Sequence, residues 1–330
     1  MPANTPCLLV DSPGRVTLAH CTVPEPGPDD ALIEVEVSGI SPGTERREMA
    51  IYDEKRSKPF VPGYALVGRV TAAGPDHQDI VGQRVFAGGT RSVHPFQRRW
   101  GGHVGTAVAA IQQLVPLPDN VTAEAASLTK VAAIALHGVQ LAKVTPHDKV
   151  IVVGLGVIGQ CSARLAIAAG AKVWAIDTSV QRVDLARRTG VAAHAVEPQT
   201  VSELRRLTQG GADVVIDSTG VPSVLAQSTE LLRETPWGDP EAEGPRLVVQ
   251  GSFAADFRLN YDEIFKREAM VLVPRDNLHI DLVGVVDRLA DGRLVTADLI
   301  STMIDASDAP SFYRRLHDDA SVLTGCINWW

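Results

Sequence analysis

The chain has 330 residues, 45 % hydrophobic and 21 % charged, which suits a soluble protein with two separate cores. A formal net charge of −8 and no clustered Lys and Arg exclude the electrostatic footprint of a nucleic-acid binder. The four cysteines (Cys7, Cys21, Cys161 and Cys326) are scattered, which excludes a disulfide framework and a four-cysteine zinc site.

Taken in chain order, the N-terminus "MPANTPCLLVDSPG" has no basic stretch followed by a long apolar run. No segment approaches about 18 consecutive apolar residues. Neither a secretory signal nor a membrane span is expected, and a reduced cytoplasm is the expected location. Residues 1 to 120 hold short β-like runs, "CLLVDS", "RVTLAHCTV", "ALIEVEVSGI", "ALVGRVTAAG" and "QRVFAGG", separated by Gly, Pro and Asp turns. This pattern predicts an antiparallel barrel or sandwich. In "ALIEVEV" apolar and acidic residues alternate, as in a half-buried strand. The strand leads into "SGISPGTERREMA", which reads as a turn dense in hydroxyls and charges.

From Val121 the character changes. "TAEAASLTKVAAIALHGVQLA" has helical spacing, and from Lys149 strands and helices alternate. Six predicted strands, "KVIVV", "KVWAI", "AAHAV", "DVVIDS", "RLVVQ" and "MVLVP", with "VIGQCSARLAIAA" and "VPSVLAQSTELLRE" as the clearest helices, argue for a doubly wound parallel sheet. Residues 235–245 read as a polar loop. After Pro274, "IDLVGVVDRLADG" and "SFYRRLHDDA" read as helices, followed by "VLTGCINWW". The expected division is 1–120, 121–274 and 275–330, the last returning to the first.

The clearest chemistry lies in "KVIVVGLGVIGQCSARLAIAAGAKVWAID". Gly154, Gly156 and Gly159 form GxGxxG directly after a buried strand and at the start of a helix. The first glycine permits the tight turn, the second lets a pyrophosphate approach the backbone, and the third lets helix and strand pack closely. The helix start at Val157 and Ile158 offers free N–H groups and a positive dipole end. Asp177 falls 23 residues after Gly154, where a carboxylate accepts the adenosine ribose hydroxyls. It would repel a 2′-phosphate, so NAD(H) is favoured. Arg182, just beyond, keeps NADP(H) open. Thr219 and Gly220 in "DSTG", and Ser252 in "QGSF", sit at strand carboxyl ends, where ligands bind in such sheets.

On "VSGISPGTE", "VPGYALVGRV", "GQRVFAGG", "LTKVAAIALHGV" and the glycine-rich segment, the chain resembles the medium-chain dehydrogenases/reductases along essentially its whole length. The resemblance implies a GroES-like β-barrel catalytic domain joined to a Rossmann domain with a six-stranded doubly wound parallel sheet. Zinc members of that family carry a cysteine ligand where this chain has Ser41. They carry Gly-His-Glu where it has Gly63, Tyr64 and Ala65, and a Cys or Glu ligand where it has Lys130. Ser, Tyr, Ala and Lys do not make the thiolate, imidazole and carboxylate set that zinc needs. No Cys lies between residues 85 and 115, so the structural zinc lobe is missing too. No metal is expected. The loop reading "SPGTE" is similar to that of bacteriochlorophyllide dehydrogenases and of tailoring dehydrogenases in secondary metabolism.

The resemblance then implies a zinc-independent NAD(P)-dependent oxidoreductase interconverting a secondary alcohol and a ketone. The expected substrate is a small specialised metabolite or a sugar-like molecule, an amino sugar included. Lys130 would stand as electrophile and proton donor, with Tyr64 as a second candidate and Ser41 beside them. Thr44 and Glu45 would orient the substrate or the amine, or else hold the turn through side-chain to backbone bonds. Arg46 would reach a cofactor phosphate, as basic residues near this loop do in relatives. His94 and His103 read as loop or pocket histidines. Relatives commonly pair through the nucleotide domain's edge strand, here "AMVLVP", so a homodimer is expected, with no nucleic-acid or membrane partner. Two other readings stay open: reduction of an activated C=C, as in quinone and enoyl reductases, and dinucleotide binding without turnover.

Overall fold

The computed structural model describes residues 2–52, 58–238, 243–253, 256–319 and 322–330. Residues 239–242 of the predicted 235–245 loop, and Ala320 at the end of the last predicted helix, lie outside the described residues. The strands in chain order are β1 (Ala3–Ser12), β2 (Arg15–Val23), β3 (Asp30–Gly39), β4 (Phe60–Val61), β5 (Leu66–Ala73), β6 (Arg84–Ala87), β7 (Gln97–Arg98), β8 (Thr106–Ala110) and β9 (Val115–Pro116). They continue as β10 (Lys149–Val153), β11 (Lys172–Asp177), β12 (Ala192–Ala195), β13 (Val214–Asp217), β14 (Arg246–Val249), β15 (Met270–Leu272), β16 (Thr302–Asp305) and β17 (Gly325–Asn328). The chain divides into two compact units, residues 1–130 with 282–330, and residues 131–281. These divisions differ from the expected ones at 120 and 274. Each falls inside a helix, Thr129–Leu141 and His279–Ala290, and no Pro/Gly-rich linker marks it in the sequence.

The first unit holds a four-stranded sheet in the order β2-β1-β4-β7 and a seven-stranded sheet in the order β16-β17-β3-β5-β6-β9, with β8 also on β3. β3 is its spine. Ile33, Val35 and Val37 point into the core while Glu34 faces solvent, which is the alternation its sequence predicts. The chain's last strand, β17, pairs antiparallel with β3, Cys326 opposite Gly39. Residues 282–330 therefore complete a sheet begun by residues 30–39.

One local expectation is overturned. "PGTERREMA", read as a turn, is a helix over Pro42–Ala50. Pro42 presets the helical φ at the first position, and the Glu45 side chain turns back to accept the Ser41 N–H at 2.7 Å. That bond satisfies a backbone donor at the helix start. Ser41 occupies the N-cap position, yet its own hydroxyl makes no cap bond.

The second unit is a six-stranded sheet in the order β12-β11-β10-β13-β14-β15, parallel throughout. This is the strand order of the doubly wound dinucleotide fold, with β10 and β13 at its reversal point. Its core, around Ile151, Val153, Val215 and Leu247, comes from the continuous apolar runs read in the sequence. Among the described residues no helix is long and apolar enough to cross a membrane.

Candidate functional site

In the second unit the glycine-rich turn joins β10 to the helix Val157–Ala168. Gly154 has φ +87°, a left-handed value that favours glycine. A Cβ on Gly159 would stand 1.8 Å from the Gly154 carbonyl oxygen, so only glycine lets the helix pack on the turn. A Cβ on Gly156, the N-cap of that helix, would meet nothing within 4 Å. The backbone is open where a pyrophosphate would approach the N–H groups at Val157 and Ile158. These residues fit a dinucleotide.

Asp177 ends β11 and is buried. Its carboxylate accepts the Leu155 N–H at 2.6 Å and the Ser179 N–H at 2.7 Å, which ties the acidic terminus to the glycine turn. Arg182 lies 3.8 Å from the same carboxylate. Thr219 packs against the turn, its Cγ2 2.8 Å from where a Gly154 Cβ would be, and Gly220, at φ +69°, sits against the Ser252 carbonyl. The structure thus brings Gly154, Thr219, Gly220 and Ser252 together at the carboxyl ends of β10, β13 and β14. Asp217, fully buried behind them, accepts bonds from Thr219 and Ser228, yet burial pushes its carboxyl up.

In the first unit, Ser41, Thr44 and Tyr64 converge. The Tyr64 and Ser41 hydroxyls share a short hydrogen bond, and Thr44 Oγ1 lies 3.4 Å from the Tyr64 oxygen. Lys130 Nζ lies over the Tyr64 ring, 5.9 Å from its centroid, within cation–π range. Trp100 meets the ring edge-on, with centroids 5.4 Å apart. Arg46 is exposed on the helix Pro42–Ala50.

Glu45 is buried, and its carboxylate is fully engaged. Oε1 accepts from the Ser41 N–H, and Oε2 accepts from the Tyr313 hydroxyl and from His103 Nε2 at 3.1 Å. Glu45 thus holds the backbone of Ser41. His103 Nδ1 lies 2.8 Å from Ser38 Oγ, which accepts from Trp329 Nε1 at 2.9 Å. The indole only donates, so the Ser38 hydroxyl accepts from it; the Glu45 carboxylate only accepts, so His103 Nε2 is the donor between them. The proton of a neutral His103 then sits on Nε2, facing Glu45. Burial, and then the Glu45 carboxylate, push the Tyr313 phenol well above its ordinary value.

Sequence reasoning missed Ser38, Tyr313 and Trp329, and left His103 without a role. One signal was available for His103. Gly63 has φ +89°, and a Cβ there would stand 2.6 Å from the His103 ring. The glycine before Tyr64 is the seat of that imidazole.

Two family models match, the alcohol dehydrogenase GroES-like domain over residues 27–125 and the zinc-binding dehydrogenase over 157–238. The 2-desacetyl-2-hydroxyethyl bacteriochlorophyllide A dehydrogenase of Cereibacter sphaeroides is 27 % identical, the match covering 99 % of this chain and 98 % of the relative. The L-galactonate-5-dehydrogenase of Escherichia coli is 26 % identical, with 98 % of each chain covered. Among solved structures, 2R,3R-butanediol dehydrogenase from Bacillus subtilis superposes with a TM-score of 0.84 at 20 % identity, over 99 % of both chains, which speaks to the fold alone. With both domain models in the family's order, together spanning more than half of the sequence, the chain belongs to the medium-chain dehydrogenase/reductase superfamily.

Proposed function

We propose that this protein is an NAD(P)-dependent oxidoreductase that interconverts a secondary alcohol and a ketone without zinc, on a specialised metabolite or sugar-like substrate. The observation that carries this reading is the Tyr64 hydroxyl, bonded to Ser41 with the Lys130 ammonium over its ring. The names of the relatives, a bacteriochlorophyllide dehydrogenase and an L-galactonate dehydrogenase, support it.

A bound nicotinamide dinucleotide supplies the ring that accepts or donates hydride. The glycine turn and the helix start at Val157 would hold its pyrophosphate, and Asp177 its ribose, which favours NAD(H) over NADP(H). Reduction of a ketone builds negative charge on its oxygen, which needs a positive or hydrogen-bonding partner and a proton. Lys130 provides the charge. The Tyr64 hydroxyl, aligned by Ser41 and Thr44, provides a donor that regains its proton through the same hydroxyls. A positioned general acid is worth about 10²–10⁴-fold. A hydroxyl, a phenol and an amine that bind one another do not fit zinc.

The test is Lys130→Met with metal analysis of the purified enzyme. Turnover of secondary alcohols is expected to fall at least about tenfold while NAD(H) binding survives. Unchanged turnover, or one zinc per chain, overturns the reading.

A further inference from the structure

Trp100 is a bulky residue held at φ +66°, where such side chains are uncommon and strain marks functional positions. Its backbone is fixed by the buried Thr90, whose N–H bonds the Trp100 carbonyl at 3.1 Å. Thr90 is itself clamped to Val108 through its hydroxyl, which accepts the Val108 N–H at 2.9 Å. The indole is 41 % exposed although its edge packs on Tyr64. The protein thus spends local strain on presenting an aromatic surface beside the candidate proton donor.

That surface forms one wall of a groove of about 310 Å³, within the first unit, also lined by Thr90, Arg91, Arg98, Gln112 and Gln113. The volume is at the small end of ligand pockets, about 300–1,000 Å³. Among the described residues no Asp or Glu lines it, although the whole chain carries −8. Arg91 is ion-paired with Asp30, its Nε and Nη2 on Asp30 Oδ1 at 2.6 and 2.5 Å, so its charge is already matched. Arg98 Nη1 reaches the Thr90 carbonyl at 3.3 Å, which orients its guanidinium along the same wall. The Arg98 guanidinium, two carboxamides and an indole face make a site for a carboxylate on a polyhydroxylated chain, with Arg91 held in its ion pair with Asp30. The Arg fork takes the carboxylate, the amides take hydroxyls, and the indole covers C–H surface.

We infer that the groove beside Trp100 is a substrate subsite for the carboxylate end of a sugar acid, anchored by Arg98. The inference rests on the proposed oxidoreductase reading and narrows its substrate to an anionic polyol.

The test compares L-galactonate with galactitol, which differ at the carboxylate, by intrinsic tryptophan fluorescence and calorimetry on the full chain. L-Galactonate is expected to bind at least about tenfold more tightly than galactitol and to quench the fluorescence. Arg98→Gln, an exposed position, should erase that difference at an unchanged melting temperature. Trp100→Leu should remove the quench. Equal binding of the two polyols, no saturable binding of L-galactonate, or an unchanged Kd in Arg98→Gln overturns the inference. Binding is read without turnover, so loss of the L-galactonate preference while Lys130-dependent oxidation persists sinks the groove alone. Persistence of that preference in a protein that oxidises no secondary alcohol sinks the oxidoreductase reading alone.

Discussion

Tyr313→Phe separates the buried cluster's structural role from the chemistry in front of it. The substitution keeps the ring, which is buried, and removes the hydroxyl that donates to Glu45 Oε2. His103 and the Ser41 N–H remain on the carboxylate. A hydrogen bond to a charged group contributes about 1.5–3 kcal/mol, so the variant should lose about that much stability at pH 7. The pH dependence adds a second signature. An unfolded tyrosine releases its proton near pH 10, about its reference value. In the folded protein, burial and the Glu45 carboxylate hold that proton to higher pH. Above about pH 10 the folded state binds more protons than the unfolded one, so stability falls as pH rises. The contribution is complete below the unfolded value and is lost as pH passes through the raised folded value. The variant has no phenol to titrate at this position and cannot show the loss, so the gap between the two proteins should narrow above about pH 10. Urea unfolding followed by far-UV circular dichroism from pH 7 to pH 11 measures both signatures. Equal midpoints at pH 7, or a gap that stays constant across the series, would refute the reasoning.

Cofactor choice follows from Asp177. Fluorescence titration should give NADH a Kd at least about tenfold below that of NADPH, since a 2′-phosphate would approach a carboxylate; tighter NADPH binding would count against the role of Asp177. A homodimer is expected to form at β15, the edge of the parallel sheet, where Met270 and Val271, with Val273 just beyond, are 45, 37 and 62 % exposed. Light scattering should report twice the chain mass, and Val273→Lys should shift it toward the monomer. A monomeric parent protein would sink the expectation of a homodimer.

Much of the second unit was legible in the sequence because its signals are local. Its central strands β10, β13 and β14 are buried on both faces and read as uninterrupted apolar runs, and the glycines, helix and Asp177 follow one another within 24 residues. Ser41 and Tyr64 could be paired only through resemblance, since 23 residues separate them. The helix Pro42–Ala50 was misread because Gly43 and four charged side chains give it no apolar face. Its start is marked by Pro42 and by Glu45, whose back-bond needs the fold around it. The cluster behind the site was illegible for another reason. Ser38, Glu45, His103, Tyr313 and Trp329 are drawn from four separate stretches of chain. No periodicity links them; the pairing of β17 with β3 and the seat at Gly63 do.

That pairing has a consequence for the order in which the protein is made. The second unit is one continuous stretch, residues 131–281, and its sheet is complete once that stretch has left the ribosome. The first 130 residues emerge earlier yet wait longer, because β17, Tyr313 and Trp329 are still to be synthesised. Domains fold as units during synthesis, at about 5–20 residues per second. The nucleotide unit is therefore ready first. The Glu45 carboxylate, already held by Ser41 and His103, acquires its Tyr313 donor only when residues 309–318 have been made.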